Sequence, residues 1–331
     1  MTTARLAACT LLLIAVFLAG CAARPVAEVR LVSRAFDDLN AASQPLLDDL
    51  ALAERDQGRQ AAEVRAKARA QAGGKPSPAA GADRRPGAAA ADPCPDVLLV
   101  GGEKPGWPAI QDGFCLRDSP YFSAIGDPPA TRTFRRGLAA VGDYTQLLLL
   151  LAEDRNLDEA KAQLQALAGN LAVALEAAGV GGASVVASPV LEALNPLIEL
   201  AAKDANAAEL KRVVLQESPK VEALVAALSK AAPELFRTVS QTSFRRFNTV
   251  GLGNIEVAKV EAQRIEAYRA AVSNYVLLLD EYRELLRALA AAYDRPRQTA
   301  TLAHLAERSA QLSARSDAWR RSLASLRTAL P

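Results

Sequence analysis

Residues 267–293 read AYRAAVSNYVLLLDEYRELLRALAAAY, and this stretch decides the fold. It holds four of the chain's six tyrosines: Tyr268, Tyr275, Tyr282 and Tyr293. The first three are seven residues apart. With Ile265, Val272, Leu279, Leu286 and Leu289 they step by three and four, the spacing of one face of a helix. The tyrosines therefore lie on the apolar seam and not opposite it. Rings at every seventh position fill wide gaps between helices and let their hydroxyls reach the polar margin. The bland reading is packing against neighbouring helices. The sharper reading is an open aromatic groove for a partner helix or a lipid chain, which uses the same spacing.

Outward from this stretch the chain continues as helix. The last one carries Leu302, Leu305, Ser309, Leu312, Ser316, Trp319, Leu323, Leu326 and Leu330 at heptad spacing. Its two serines allow a neighbour to approach closely. YDRPRQ, 293–298, separates the two as a short turn, so helices over about 258–293 and 296–330 are expected to pair antiparallel. Upstream, Phe134, Leu138, Val141 and Leu148 line a helix starting near Ala130, whose run Leu147–Leu151 is apolar on all sides. Asn156 with Glu159, Asn206 with Glu209, and Ser218 with Pro219 mark further helix starts. Pro196 and Pro233 are expected to kink helices, and TVGLGN, 249–254, to break one.

Val29, Val32, Phe36, Leu39, Leu46 and Leu50 form another seam, interrupted at Pro45, where a bend or break is expected. The second half of this helix, up to Gln71, loses its large apolar residues and is expected to project into solvent. Residues 72–93, rich in Ala, Gly and Pro, read as a linker. Within 94–129, DVLLV reads as a short strand and GGEKPGWPAIQDGF as loop. The fold class expected is all-α: a bundle of long antiparallel helices with coiled-coil-like heptad seams, plus a small disulfide-closed irregular segment. The divisions are 1–20, 21–71, 72–93, 94–129 and 130–331.

Positions 6–20 form an apolar core behind Arg5, too short for a comfortable membrane span and shaped like a secretory signal. Leu18-Ala19-Gly20-Cys21 resembles the lipobox of bacterial lipoproteins. The resemblance implies cleavage before Cys21, lipid on its thiol and acylation of the new amino terminus. Ala22 and Ala23 follow with no aspartate, which by similarity to lipoprotein sorting favours the outer membrane, on its periplasmic face. Several acyl chains make a lasting anchor, each adding roughly 0.8 kcal/mol per buried methylene. Cys9 leaves with the signal. Cys94 and Cys115 remain, an even pair that reads as a disulfide in an oxidising compartment.

The charges are nearly balanced, 39 basic against 37 acidic residues, so no global basic field argues for nucleic acid. His304 is the only histidine, which excludes His-rich zinc constellations. No Gly-x-Ser-x-Gly or Ser-x-x-Lys nucleophile motif is present. No catalytic residue, metal or cofactor is expected. Two surfaces remain as partner-contact candidates. One is the segment around Trp107 and Phe114, which either packs on the bundle or meets a partner. The other is the basic final helix with Arg315, Arg320 and Arg321, which meets anionic headgroups, an acidic partner or a neutralising neighbour helix. The expected function is a non-catalytic envelope scaffold or protein-interaction module. A carrier of lipid or another apolar ligand is the alternative, and contact with peptidoglycan stays open.

Overall fold

The computed structural model describes residues 26–71, 99–101, 109–111, 113–153, 157–180, 212, 215–216, 218–294 and 299–329. The signal and lipobox, Cys94, Trp107, the 72–93 linker, Pro196, the caps at Asn156 and Asn206, the 295–298 turn and Leu330 lie outside them.

The chain is an all-α bundle with one small hairpin. Helix α1 runs Val26–Gln71, strands β1 and β2 are Leu99–Gly101 and Ala109–Gln111, and a 3-10 turn at Leu116–Asp118 leads into the single-turn α2, Ser119–Phe122. Then come α3 (Pro129–Ala152), α4 (Leu157–Val180), α5 (Ser218–Lys230), α6 (Ala232–Thr249), a 3-10 turn at Gly251–Gly253, α7 (Ile255–Asp294) and α8 (Thr299–Ala329). The strands pair antiparallel, Val100 opposite Ile110. So part of the stretch expected as loop is strand.

Helix α1 touches α3, α6, α7 and α8, and is the common wall of the core. Its seam residues Val29, Val32, Leu39, Leu46 and Leu50 are all fully buried. Pro45 neither breaks nor ends it. The ring deprives the Ala41 carbonyl of its usual helical donor, but tertiary packing on both sides holds the helix together. Pro233 does not kink a helix either. It stands in the first turn of α6, where its missing N–H costs nothing.

The second half of α1 does not project into solvent as expected. Ala62 and Ala66 are buried there, and both the hairpin segment and α6 lean on it. Gln57 Nε2 donates to the Thr238 carbonyl at 3.2 Å, and Arg245 donates to Gln60 Oε1. Small side chains give α1 room for neighbours at its far end rather than an open face.

The start of α3 is capped from outside its own chain segment. Pro128 precedes the helix and supplies no side-chain cap. Glu54 of α1 does so instead: it accepts from the Ala130 N–H at 2.9 Å, the Thr131 N–H at 2.7 Å and the Thr131 hydroxyl at 2.7 Å. Burial pushes the Glu54 carboxyl up, and these hydrogen bonds only partly offset it. A carboxyl raised in the folded state binds its proton more tightly there than in the unfolded chain. Stability therefore grows as pH falls through the folded value and the gain is complete below the unfolded value, near 4.5. The stability of the native protein relative to Glu54→Gln is expected to rise between pH 7 and pH 4. Urea midpoints of the two proteins across that range measure it, and a constant difference would refute it.

Candidate functional site

The segment 113–126 is pinned to α1 by a row of residues one and two turns apart. Arg55 Nε donates to the Ser123 carbonyl at 3.1 Å, and its terminal nitrogen to the Gly126 carbonyl at 3.2 Å. Arg65 pairs with the buried Asp118. Between them sits Gly58, where a Cβ would lie 2.5 Å from Tyr121 Cβ. A glycine in mid-helix costs about 1 kcal/mol against alanine, and close approach of Tyr121 is the reason for it here. Ser123 Oγ accepts from the N–H groups of Ile125 and Gly126, at 3.2 and 3.3 Å, which shapes the turn. Cys115 is buried at the head of the 3-10 turn.

Held this way, the segment directs apolar side chains outward. Leu116 is 83% exposed, Phe114 68%, and Ile125 entirely so. These side chains pack on no core, while the backbone beneath them is fixed by two arginines and a buried aspartate. Gly58→Ala is expected to lift Tyr121 from α1 and loosen residues 113–126 while leaving the α3–α7–α8 core intact. Site-resolved hydrogen exchange reads this: faster exchange confined to that segment is expected, and an unchanged profile would refute it.

The tyrosine seam is closed. Tyr275 and Tyr282 are fully buried, Tyr268 is half-buried, and the side chain of Tyr293 lies outside the described residues. Phe36 of α1 lies 5.2 Å from the Tyr282 ring, and Phe134 and Trp319 each lie 6.3 Å from the Tyr275 ring. The two hydroxyls differ. Thr145 Oγ1 donates to the Val141 carbonyl at 2.8 Å, so at 2.6 Å the Tyr282 hydroxyl donates to Thr145. The Tyr275 hydroxyl is buried with no hydrogen-bond partner, as are Ser309 Oγ, Ser316 Oγ and Trp319 Nε1. Burial pushes both phenols far above their ordinary range.

The cations of the final helix are largely neutralised. Arg315 pairs with Glu281, Arg320 with Asp317, and Arg327 with Asp49 at 2.6 Å. Arg327 also donates to the Pro45 carbonyl. Arg321 is exposed. Of the three alternatives weighed for this helix, a neutralising neighbour accounts for Arg315 and Arg327. Trp107 lies outside the described residues, and Phe114, the other residue expected to pack on the bundle or meet a partner, is exposed. Sequence reasoning missed Leu116 and Ile125, which have no periodic neighbours to mark them.

Among the described residues no group of three metal-ligating side chains occurs, and no helix is long and apolar enough to cross a membrane. No known protein family, no curated protein and no solved structure matches the chain.

Proposed function

We propose that this chain is a lipid-anchored lipoprotein on the periplasmic face of the outer membrane, acting as a non-catalytic scaffold that presents residues 113–126 to another envelope protein. The observation that carries the reading is the pinned segment with Phe114, Leu116 and Ile125 outward. Gly58, which holds that segment through Tyr121, is 32 residues beyond Val26, roughly 50 Å along α1 at 1.5 Å per residue. The lipid would be attached at Cys21, five residues before α1 begins. Anchor and display surface would then stand at opposite ends of one rigid helix. Rigid backbone under exposed apolar side chains lowers the ordering cost of association.

The bundle behind the surface is read as antiparallel and seam-packed. Along α1, Arg30 meets Glu153, just past the end of α3, while Asp48 and Glu54 meet Arg135 and Thr131 of α3, in reverse order. Tyr275 and Glu281 of α7 likewise meet Trp319 and Arg315 of α8 in reverse order. Buried Leu305, Ser309, Leu312, Ser316, Trp319 and Leu323 supply the heptad positions of α8. Rings filling the tyrosine seam support the scaffold over the alternative of a carrier for lipid or another apolar ligand. Cross-linking in intact envelopes, with proteins and lipids analysed in one sample, tests the choice. A protein partner cross-linked through residues 113–126 is expected; stoichiometric co-purified lipid and no protein would favour the carrier.

Cys94 and Cys115 are proposed to be joined. A disulfide between them would close the loop 94–115, tie the head of the segment 113–126, and contribute roughly 3 kcal/mol in the chain-entropy model. Intact mass after alkylation, with and without reductant, is expected to show both thiols protected until reduction. Alkylation of both without reductant would overturn the pairing.

A further inference from the structure

The turn joining α6 to α7 carries a second cluster of exposed apolar side chains among the described residues. Leu252 is 80% exposed, Ile255 67% and Val250 52%, within six residues. Phe244 and Val260, further back on the two helices, are each 40% exposed. The backbone beneath is ordered. The Gly253 N–H donates to the Val250 carbonyl and the Asn254 N–H to the Gly251 carbonyl, each at 3.2 Å, closing a tight 3-10 turn, and the Asn254 side chain accepts from the N–H groups of Glu256 and Val257, capping α7. A Cβ on Gly251 would lie 3.2 Å from the Ala258 backbone, so the turn is folded close against α7.

Charge follows the same end. From Ser240 to Arg264 there are four cations and two carboxylates. One of those carboxylates, Glu261, is buried between Arg246 and Arg264, and the other, the exposed Glu256, pairs with Lys259 at 3.0 Å, a solvent-exposed contact that headgroups can replace. The far half of α1, Arg55 to Gln71, has five cations and two carboxylates; the near half, Val26 to Glu54, has two cations and six carboxylates. Gln57 and Gln60 tie α6 to that far half. Helix α1 is thus electrically polarised, with the apolar turn on the side of its basic half. Arg246 precedes Val250 by four residues and Lys259 follows Ile255 by four, about 6 Å of helix rise on each side. Interfacial segments bury their apolar face roughly 5–10 Å, with cations at the headgroups, and that spacing fits.

We propose that the Val250–Ile255 turn is a membrane-contact tip that inserts Val250, Leu252 and Ile255 into the surface of an anionic lipid bilayer, with Arg245, Arg246 and Lys259 on the headgroups. Charge complementarity selects this occupant. A convex turn of three aliphatic side chains offers a protein partner little area, since stable protein interfaces bury roughly 800 Å² on each side. A bilayer accepts such a wedge and rewards the surrounding cations. The tip stands at the far end of α1, so it and a lipid at Cys21 would reach one bilayer with α1 lying along it; it is a different surface from residues 113–126.

Site-resolved hydrogen exchange on the full chain tests it. The chain is mixed with vesicles of phosphatidylcholine alone or enriched in phosphatidylglycerol. Amides from Thr249 to Glu256 are expected to gain protection with the anionic vesicles only, and the gain should fade with salt. Leu252→Glu with Ile255→Glu should abolish it without changing the melting temperature. Arg245→Gln and Lys259→Gln should each weaken it on the order of fivefold. Because the reading is local, binding through residues 1–25 alone would leave these amides unchanged, and that result would overturn the proposal. Equal protection by both vesicle types would also overturn it, as would protection of the tip by envelope proteins but not by lipid.

Discussion

Tyr275→Ala is expected to lower the melting temperature by about 8 °C, and Tyr275→Phe to leave it unchanged or raise it. Tyr275 is fully buried among Phe134 and Trp319. Truncation removes the ring contacts and leaves a cavity, which for large aromatics costs about 3–5 kcal/mol. Its hydroxyl has no hydrogen-bond partner, so removing the oxygen alone removes a desolvation cost. Tyr282 provides the contrast. Its hydroxyl donates to Thr145, so Tyr282→Phe is expected to cost about 1 kcal/mol. Thermal and urea unfolding of the three variants measure all of this. If Tyr275→Phe proved less stable than Tyr282→Phe, the Tyr275 hydroxyl would have a partner that the packing does not show.

Cys21→Ser is expected to move the protein from the membrane fraction to the soluble periplasm. The change would be close to complete, because acyl chains contribute roughly 0.8 kcal/mol per buried methylene and nothing comparable replaces them. No described helix is long and apolar enough to hold the protein in a bilayer. Fractionation of the variant, with inhibition of the lipoprotein signal peptidase in the native strain, measures it. Unaltered membrane association together with no accumulation of precursor would remove the lipoprotein reading. A residual salt-sensitive membrane fraction in the variant is the expected trace of the tip at Leu252.

Helical periodicity was the legible part of the fold. Tyr275, Tyr282, Leu305, Leu312, Trp319 and Leu323 are buried where three-four spacing places them. The starts at Ser218 and the break at Gly251–Gly253 follow from capping and glycine chemistry. What stayed illegible involves partners distant in sequence. Glu54 caps a helix through the N–H of Ala130, 76 residues later, and nothing local marks it apart from the surface glutamates. Arg55 and Arg65 read as a solvated face because their acceptors come from the far segment. Ala62 and Ala66 are too small to announce burial. Gly58 in mid-helix was a usable signal, since an unfavoured residue there asks for a close neighbour. The candidate surface was half-legible: Phe114 was singled out, while exposure of Leu116 and Ile125 depends on how α1 grips the chain between them.

The bond between Arg327 and Asp49 links residues 278 apart, so α1 and α8 meet only when the chain is nearly complete. A chain made amino end first has α1 long before α8 exists. Until then Leu46, Leu47 and Leu50 face water with only part of their final cover. The early helix is therefore open to aggregation while the rest of the chain is made, and completion of the fold waits for the last thirty or so residues.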